Sequence, residues 1–101
     1  MLSPDGRYAL VFNGEIYNFV DLRGQLEQLG VRFRSTGDTE VVLQALAHWG
    51  TAALDRFNGM FALAFYDRQA CELLLARDHA GIKPLYYLLG ERGLFFASQY
   101  D

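Results

Sequence analysis

The first hydrophobic segment of the chain is short and apolar on both of its alternating faces. Tyr8, Leu10 and Phe12 alternate with Ala9 and Val11. Alternation without a polar face predicts a buried strand, here spanning residues 7–12. Asn13-Gly14 follows it directly, and because this pair is common in turns, the strand is expected to end there.

Two stretches with helical spacing follow this strand. In each, apolar residues recur three or four positions apart, which predicts two amphipathic helices. Asn18 is a candidate N-cap of the first helix, and Gly30 and Gly50 follow the ends of the two stretches. A short strand is expected at residues 31–34 between them. The apolar stripes comprise Phe19, Leu22, Leu26 and Leu29 in the first helix, and Val42, Ala45, Leu46 and Trp49 in the second.

After residue 58 the pattern changes from helices to hairpins, with only a short helical turn at Leu54 and Phe57 before the change. Apolar runs at residues 60–66 and 71–76 are joined by a polar link, which predicts an antiparallel hairpin. Runs at 85–89 and 94–97 predict a second one. Helices that are segregated from hairpins are typical of a layered α+β fold with antiparallel sheets, rather than an alternating α/β fold.

The predicted strands are apolar on both faces, yet the chain offers only two long helices to cover them. Two helices can cover one face of such a sheet. We therefore expect a second layer to come from sequence outside this chain or from another subunit. The open face and sheet edges are also expected to drive self-association.

Composition limits the classes of function. The chain has 101 residues, 51% hydrophobic, with a formal net charge of −3 and one cysteine. This is too apolar for a disordered chain, lacks a membrane-spanning run, and carries no basic stripe for nucleic acid. A single cysteine excludes an internal disulfide and a thiolate zinc cage. We expect one domain over residues 1–101, in the cytoplasm, with neither a membrane nor a nucleic-acid partner.

Asn13 and Gly14 are the first candidates for chemistry. An Asn amide and a glycine N–H, which no Cβ screens, can converge on a negatively charged oxygen as an oxyanion hole. The alternative is an ordinary Asn-Gly turn, which the dipeptide alone favours.

Asp38 is the next candidate, because it lies at the start of the second helix. There it could bind a substrate ammonium or simply cap the helix, and capping is the commoner role. Asp38 and Glu40 do not form a convincing metal site. Residues 77–87 could be a solvated rim or an interface, and Cys71 lacks a neighbour that would activate it as a nucleophile.

Four sequence motifs occur in a fixed order along the chain. They are FNGEIYN at 12–18, STGDTEV at 35–41, FNGMFA at 57–62 and RDHAGIKPLYY at 77–87. In this order they resemble the N-terminal glutaminase domain of glutamine-hydrolysing asparagine synthases, a class II glutamine amidotransferase of the N-terminal-nucleophile hydrolase type. The resemblance covers residues 2–98.

The resemblance implies an αββα sandwich and a role for each candidate residue. Asn13 and Gly14 would form the oxyanion hole for the side-chain amide of L-glutamine. Glu15 would line the pocket through its main chain, and Asp38 would bind the α-ammonium. No metal is implied in this stretch, whereas ATP and Mg²⁺ would belong to a separate synthetase domain that passes ammonia to an activated aspartate.

The chain also departs from the family pattern. The nucleophile of the family is an N-terminal cysteine whose α-amine acts as base, and neither this cysteine nor the segment that holds the glutamine carboxylate is present. We expect Met1 to be an internal position of a domain that is incomplete at its N-terminus, and the chain alone to be inactive. Two alternatives stay open: a non-catalytic binding or assembly module, and an amidotransferase with another ammonia acceptor.

Overall fold

Five antiparallel strands form one sheet, in the order in which they occur along the chain. The computed structural model describes residues 1–79, 82–90 and 93–98. Every neighbouring pair of strands is antiparallel. The strands are β1 (Tyr8–Ile16), β2 (Gly59–Asp67), β3 (Glu72–His79), β4 (Ile82–Gly90) and β5 (Gly93–Ser98).

The helices lie between β1 and β2 in the chain and pack on one face of the sheet. They are α1 (Phe19–Gln28), α2 (Asp38–Trp49) and a 3₁₀ helix (Gly50–Arg56). The core between the layers consists of residues from both, among them Leu22, Leu26, Val42, Leu46, Leu10, Phe61, Leu63, Phe65 and Leu74. The α+β class and the segregation of helices from hairpins are confirmed. The described residues supply one helical layer and one sheet of the expected sandwich.

The other face of the sheet is apolar and exposed. Strand alternation directs Val11, Met60 and Leu75 away from the helices, and Val11 and Met60 are 74% and 62% exposed. Small or apolar residues continue this face across the strands, for example Ala64, which pairs with both Val11 and Leu75. The prediction that two helices leave one face uncovered holds within the described residues.

The predicted turn at Asn13-Gly14 is wrong, because β1 continues through both residues to Ile16. Asn13 pairs with Ala62 and Gly14 with Phe61. A glycine with positive φ normally ends a strand in a turn, but Gly14 has φ +132°, an extended backbone of mirror-image type that keeps the strand in register.

Three further boundaries differ from the sequence prediction. Residues 31–34 form no strand, because their alternating Val31 and Phe33 pack on the core rather than pairing with a strand. Gly59 opens β2 rather than breaking the chain, and most of the predicted link at 77–87 belongs to β3 and β4. Its residues 80–81, and residues 91–92 of the predicted second hairpin turn, lie outside the described residues.

The outer edge of β1 is partly covered. Leu2 forms an antiparallel bridge with Ala9, and the backbones of Ser3 and Tyr8 are joined by a 2.9 Å hydrogen bond. At the other end of the strand the edge past Leu10 has no such neighbour among the described residues. None of the helices described here has the length and apolar character needed to cross a bilayer.

Candidate functional site

A shallow, open cavity of about 380 Å³ lies where β1, β2 and β3 come together at one end of the sheet. Asn13 and Gly14 of β1 contribute to its wall. The remaining lining residues are Met60, Phe61, Ala62, Arg77 and Asp78. The structure therefore brings the two candidate oxyanion residues to one cavity and adds a guanidinium and a carboxylate that the motif analysis did not assign to a site.

Gly14 is required by the closeness of β2. A Cβ at this position would lie 2.0 Å from the carbonyl oxygen of Met60 and 2.7 Å from the Cα of Phe61. Both neighbours are backbone atoms, which cannot rotate away. Gly59 has the same constraint from the opposite strand, since its Cβ would lie 2.0 Å from the carbonyl oxygen of Glu15. At both glycines, the place of a Cβ is thus taken by the backbone of the facing strand, next to the cavity.

The ladder indicates where the N–H of Gly14 points. In an antiparallel pair, alternate residues direct both backbone groups toward the partner strand or away from it. Leu10 directs its N–H away from β2, to the carbonyl of Met1 at 2.8 Å, and Ile16 does so toward Asp38. Gly14 has the same parity, so its N–H falls on the outer edge of β1, where it is available to a ligand.

Asp38 lies beside this edge but does not line the cavity. Its Oδ2 accepts the N–H of Ile16 at 3.2 Å, two residues beyond Gly14. Among the described residues, Oδ1 accepts no hydrogen bond. Asp38 is the first residue of α2, and Gly37 occupies the N-cap position without a side-chain cap. The capping alternative is therefore wrong: the carboxylate joins α2 to β1 and keeps one oxygen open, about 7 Å along the strand from Gly14.

Glu15 is exposed and pairs with Met60 across the strands. Its side chain follows Val11 and Asn13 on the face opposite the helices. Its main chain connects Gly14 to Ile16, which is the part that the resemblance assigns to the pocket.

Glu40 fixes the segment that leads into Asp38. It is 6% exposed and accepts hydrogen bonds from the N–H of Arg34 at 3.0 Å and of Ser35 at 2.8 Å, and from the Ser35 hydroxyl at 2.7 Å. Burial raises the pKa of Glu40, but these hydrogen bonds outweigh it and hold the pKa below its usual value. The position, three residues after the N-cap, is typical of a capping box and could have signalled this role.

Asn18 performs a similar task at the end of β1. Its Nδ2 donates to the carbonyl of Arg56 at 2.8 Å, and its Oδ1 accepts the N–H of Asn58 at 2.9 Å. It occupies the N-cap position of α1, as expected, yet makes no capping hydrogen bond. The amide instead joins the end of β1 to the start of β2.

Cys71, the single cysteine of the chain, lies away from this cavity. It precedes Glu72, which pairs with Asp67, whereas Asn13 pairs with Ala62. Five residues of strand separate these two rows, or about 17 Å. Cys71 is therefore remote from the two candidate oxyanion residues. No cluster of metal-ligating side chains occurs in the part of the chain that the structure describes.

Comparison with known proteins gives a family match over the whole chain. Residues 1–101 match the family model of the glutamine amidotransferase domain. The putative glutamine-hydrolysing asparagine synthetase of Mycobacterium tuberculosis is 50% identical over 98 residues, covering 96% of this chain and 15% of that protein. Glutamine-hydrolysing asparagine synthetase 1 of Bacillus subtilis is 42% identical over 95 residues, or 94% of this chain and 15% of that protein. The chain thus spans about one seventh of the length of these relatives.

A solved structure shares the fold. Glutamine phosphoribosylpyrophosphate amidotransferase from B. subtilis, complexed with ADP and GMP, matches with a TM-score of 0.70 over 100% of this chain and 31% of that one. Sequence identity is 17%, so this likeness concerns the fold alone.

Proposed function

Because this chain belongs to the glutamine amidotransferase domain family, we propose that it forms part of a glutaminase site, in which Asn13 and Gly14 make the oxyanion hole for the side-chain amide of L-glutamine. The observation that carries the proposal is the outward edge position of the Gly14 N–H beside the Asn13 amide. The Asn13 side chain is on the adjoining sheet face of the same strand, and two donors from neighbouring residues are what a tetrahedral oxyanion needs.

The chemistry assigned to the site is amide hydrolysis through a thioester. A thiolate attacks the side-chain carbonyl carbon of glutamine, and the negative charge that develops on the oxygen is stabilised by the two donors. Collapse of this intermediate breaks the C–N bond and, with a proton, releases ammonia; water then hydrolyses the thioester to glutamate and regenerates the thiol. Each donor contributes on the order of 3 kcal/mol to the transition state.

Asp38 is the proposed partner of the glutamine α-ammonium. Its Oδ1 is open, and its Oδ2 is held by Ile16 on the same strand edge. A carboxylate fixed in this way would set the distance between the α-ammonium and the oxyanion hole. Glu15 lines the pocket through its main chain.

The thiol and the ammonia acceptor are assigned to parts of the protein other than the cavity described here. Cys71 lies about 17 Å away along the sheet. We propose that the ammonia goes to an aspartate that a linked, ATP- and Mg²⁺-dependent synthetase domain activates in the cytoplasm, and that the 101-residue chain by itself does not hydrolyse glutamine.

Binding of glutamine is the direct test of the site. In ¹⁵N-labelled protein, L-glutamine should shift the amide signals of Asn13 and Gly14, and D-glutamine should shift them less. Asp38→Asn should weaken binding of L-glutamine by at least about tenfold, because it removes the charge that pairs with the ammonium. Glu27→Gln, on the exposed surface of α1, is the matched control and should bind like the wild type.

Two results would contradict the proposal. If L-glutamine saturates the shifts of other amide signals but leaves those of Asn13 and Gly14 unchanged, these two residues do not form the oxyanion hole. Ammonia release from glutamine by the purified 101-residue chain, abolished by Asn13→Ala, would show that the chain carries its own nucleophile. Cys71→Ser would then identify or exclude the only thiol in the chain.

A further inference from the structure

At the edge of the cavity opposite Gly14, β3 faces a β-bulge whose extra residue lies in β4: Arg77 and His79 are two residues apart, whereas their partners Leu85 and Ile82 are three apart. The backbone register of β2 and β3 runs from Asp67 and Glu72 to Ala62 and Arg77. The register of β3 with β4 shifts between Arg77 and His79, which leaves Asp78 at the irregular position. A bulge turns a side chain out of the regular alternation and can direct it at a new target.

The target of Asp78 is the backbone of β2. Its Oδ1 accepts the N–H of Phe61 at 2.9 Å. The last regular β2–β3 pair is Ala62 with Arg77, and Phe61 lies one residue beyond it, on the N-terminal side of Ala62. The Asp78 carboxylate thus replaces a ladder hydrogen bond where the two main chains stop pairing. Hydrogen bonds from an N–H to a carboxylate are stronger than those to a neutral oxygen.

Phe61 is also the residue against which Gly14 is held. The two pair across β1 and β2, and the space for a Cβ on Gly14 is closed by the backbones of Met60 and Phe61. The orientation of the Gly14 N–H therefore depends on where the Phe61 backbone lies. A carboxylate on one side of β2 fixes the strand that supports the donor on the other side.

We infer that Asp78 is a positioning residue for the oxyanion hole: from its place in β3, opposite the bulge in β4, it holds the Phe61 backbone, and through it the Gly14 backbone of β1. This inference rests on the proposed function for the meaning of Gly14. Asp78 itself makes no contact with the reacting amide. Its second oxygen, Oδ2, accepts no hydrogen bond from the described part of the chain, and Asp78 lines the cavity.

Amide hydrogen exchange and ¹⁵N shifts of the 101-residue chain test the inference without relying on activity. Asp78→Ala should lower the exchange protection of the Phe61 amide by at least about tenfold and shift the Gly14 signal, while Leu63, further along β2, stays unchanged. Asp78→Asn keeps an acceptor oxygen and should remain within about threefold of wild-type protection at Phe61. Asp55→Ala, an exposed carboxylate on the 3₁₀ helix, is the control and should change neither signal.

A glutamine titration separates this inference from the proposed function. Wild type and Asp78→Asn should respond at Gly14, and Asp78→Ala should require at least about tenfold more glutamine. If the Gly14 signal of the wild type does not respond to glutamine, the proposed function is refuted. The exchange experiment at Phe61 then still decides whether Asp78 positions the Gly14 backbone. Unchanged Phe61 protection and Gly14 shift in Asp78→Ala overturn the inference. If Asp78→Ala does not fold, the folded Asp78→Asn variant decides: Phe61 protection that falls while the Gly14 signal keeps its wild-type shift overturns the inference.

Discussion

Gly14→Ala should unfold or strongly destabilise this domain, because β2 leaves no room for a side chain on β1. The new Cβ would lie 2.0 Å from the Met60 carbonyl oxygen, against 3.4–4 Å for an ordinary contact. Relief of this overlap needs a separation of the strands by more than an ångström. The pairs on either side, Asn13 with Ala62 and Glu15 with Met60, would lose their hydrogen-bond geometry.

The expected cost follows from two contributions. The backbone of Gly14 has φ +132°, and an L side chain there adds about 1–3 kcal/mol of strain. Loss of two neighbouring ladder hydrogen bonds adds about 1 kcal/mol each. The total, roughly 3–5 kcal/mol, is a large part of the 5–15 kcal/mol that stabilise an ordinary domain.

Gly24→Ala is the matched control, since the same substitution should have the opposite sign. Gly24 lies inside α1, and a Cβ there would meet nothing within 4 Å. Replacing a helical glycine by alanine stabilises a helix by about 0.5–1 kcal/mol, because alanine loses less backbone entropy on folding.

Urea unfolding followed by far-UV circular dichroism measures both changes. With a slope of about 1–1.5 kcal/mol per molar urea, Gly14→Ala should lower the midpoint by roughly 2–5 M, or leave the chain unfolded without urea, and Gly24→Ala should raise it. A Gly14→Ala variant whose midpoint lies within about 0.5 M of the wild type would refute the reasoning on strand approach.

Three further substitutions test other parts of the structure. Glu40→Gln should weaken the acid dependence of stability. The pKa of Glu40 is lower in the folded than in the unfolded state, so its stabilisation is complete above about pH 4.5 and is lost as the pH falls through the folded pKa. Urea midpoints at pH 7 and pH 3 measure the difference. An unchanged pH dependence would contradict this. Asn18→Ala should lower the free energy of unfolding by about 1–2 kcal/mol, because it removes two hydrogen bonds to the backbone of residues 56–58. Asn58→Ala, at an exposed side chain, should lower it by less than about 0.5 kcal/mol. Equal losses would contradict the role of the Asn18 amide in joining β1 to β2. Val11→Lys places a charge on the exposed apolar face of the sheet. Sedimentation velocity should then show less self-association than in the wild type. A wild-type chain that stays monomeric at high concentration would contradict the expectation that this face drives self-association.

Much of the fold follows from local patterns. Helical spacing located α1 and α2 within a residue or two of their observed bounds, because each helix buries one continuous stripe. The apolar runs likewise located the hairpin strands. The absence of a polar strand face also predicted correctly that the sheet would expose an apolar surface opposite the helices.

The misses share one cause, which is that a partner distant in sequence overrides a local signal. The Asn13-Gly14 pair favours a turn when no neighbouring strand is available for pairing. Here β2 pairs with both residues, and only glycine fits beside the backbone of Met60 and Phe61. Val31 and Phe33 alternate as in a strand, but α2 provides Glu40 as the hydrogen-bond acceptor for the residues that follow. The contact of Asp78 with the Phe61 backbone could not be predicted from the sequence, because it depends on the irregular pairing of β3 with β4.

The connection between β1 and β2 has a consequence for how the domain assembles. The strands from β2 to β5 follow one another through short links, so their pairing involves residues close in sequence. The β1–β2 pair, in contrast, closes a loop that contains both α-helices and the 3₁₀ helix. Loop closure costs chain entropy before native contacts offset it, and contacts distant in sequence slow folding. We therefore expect the meander to form as a kinetic unit, and docking of β1, which creates the Asn13–Gly14 edge, to be the late step.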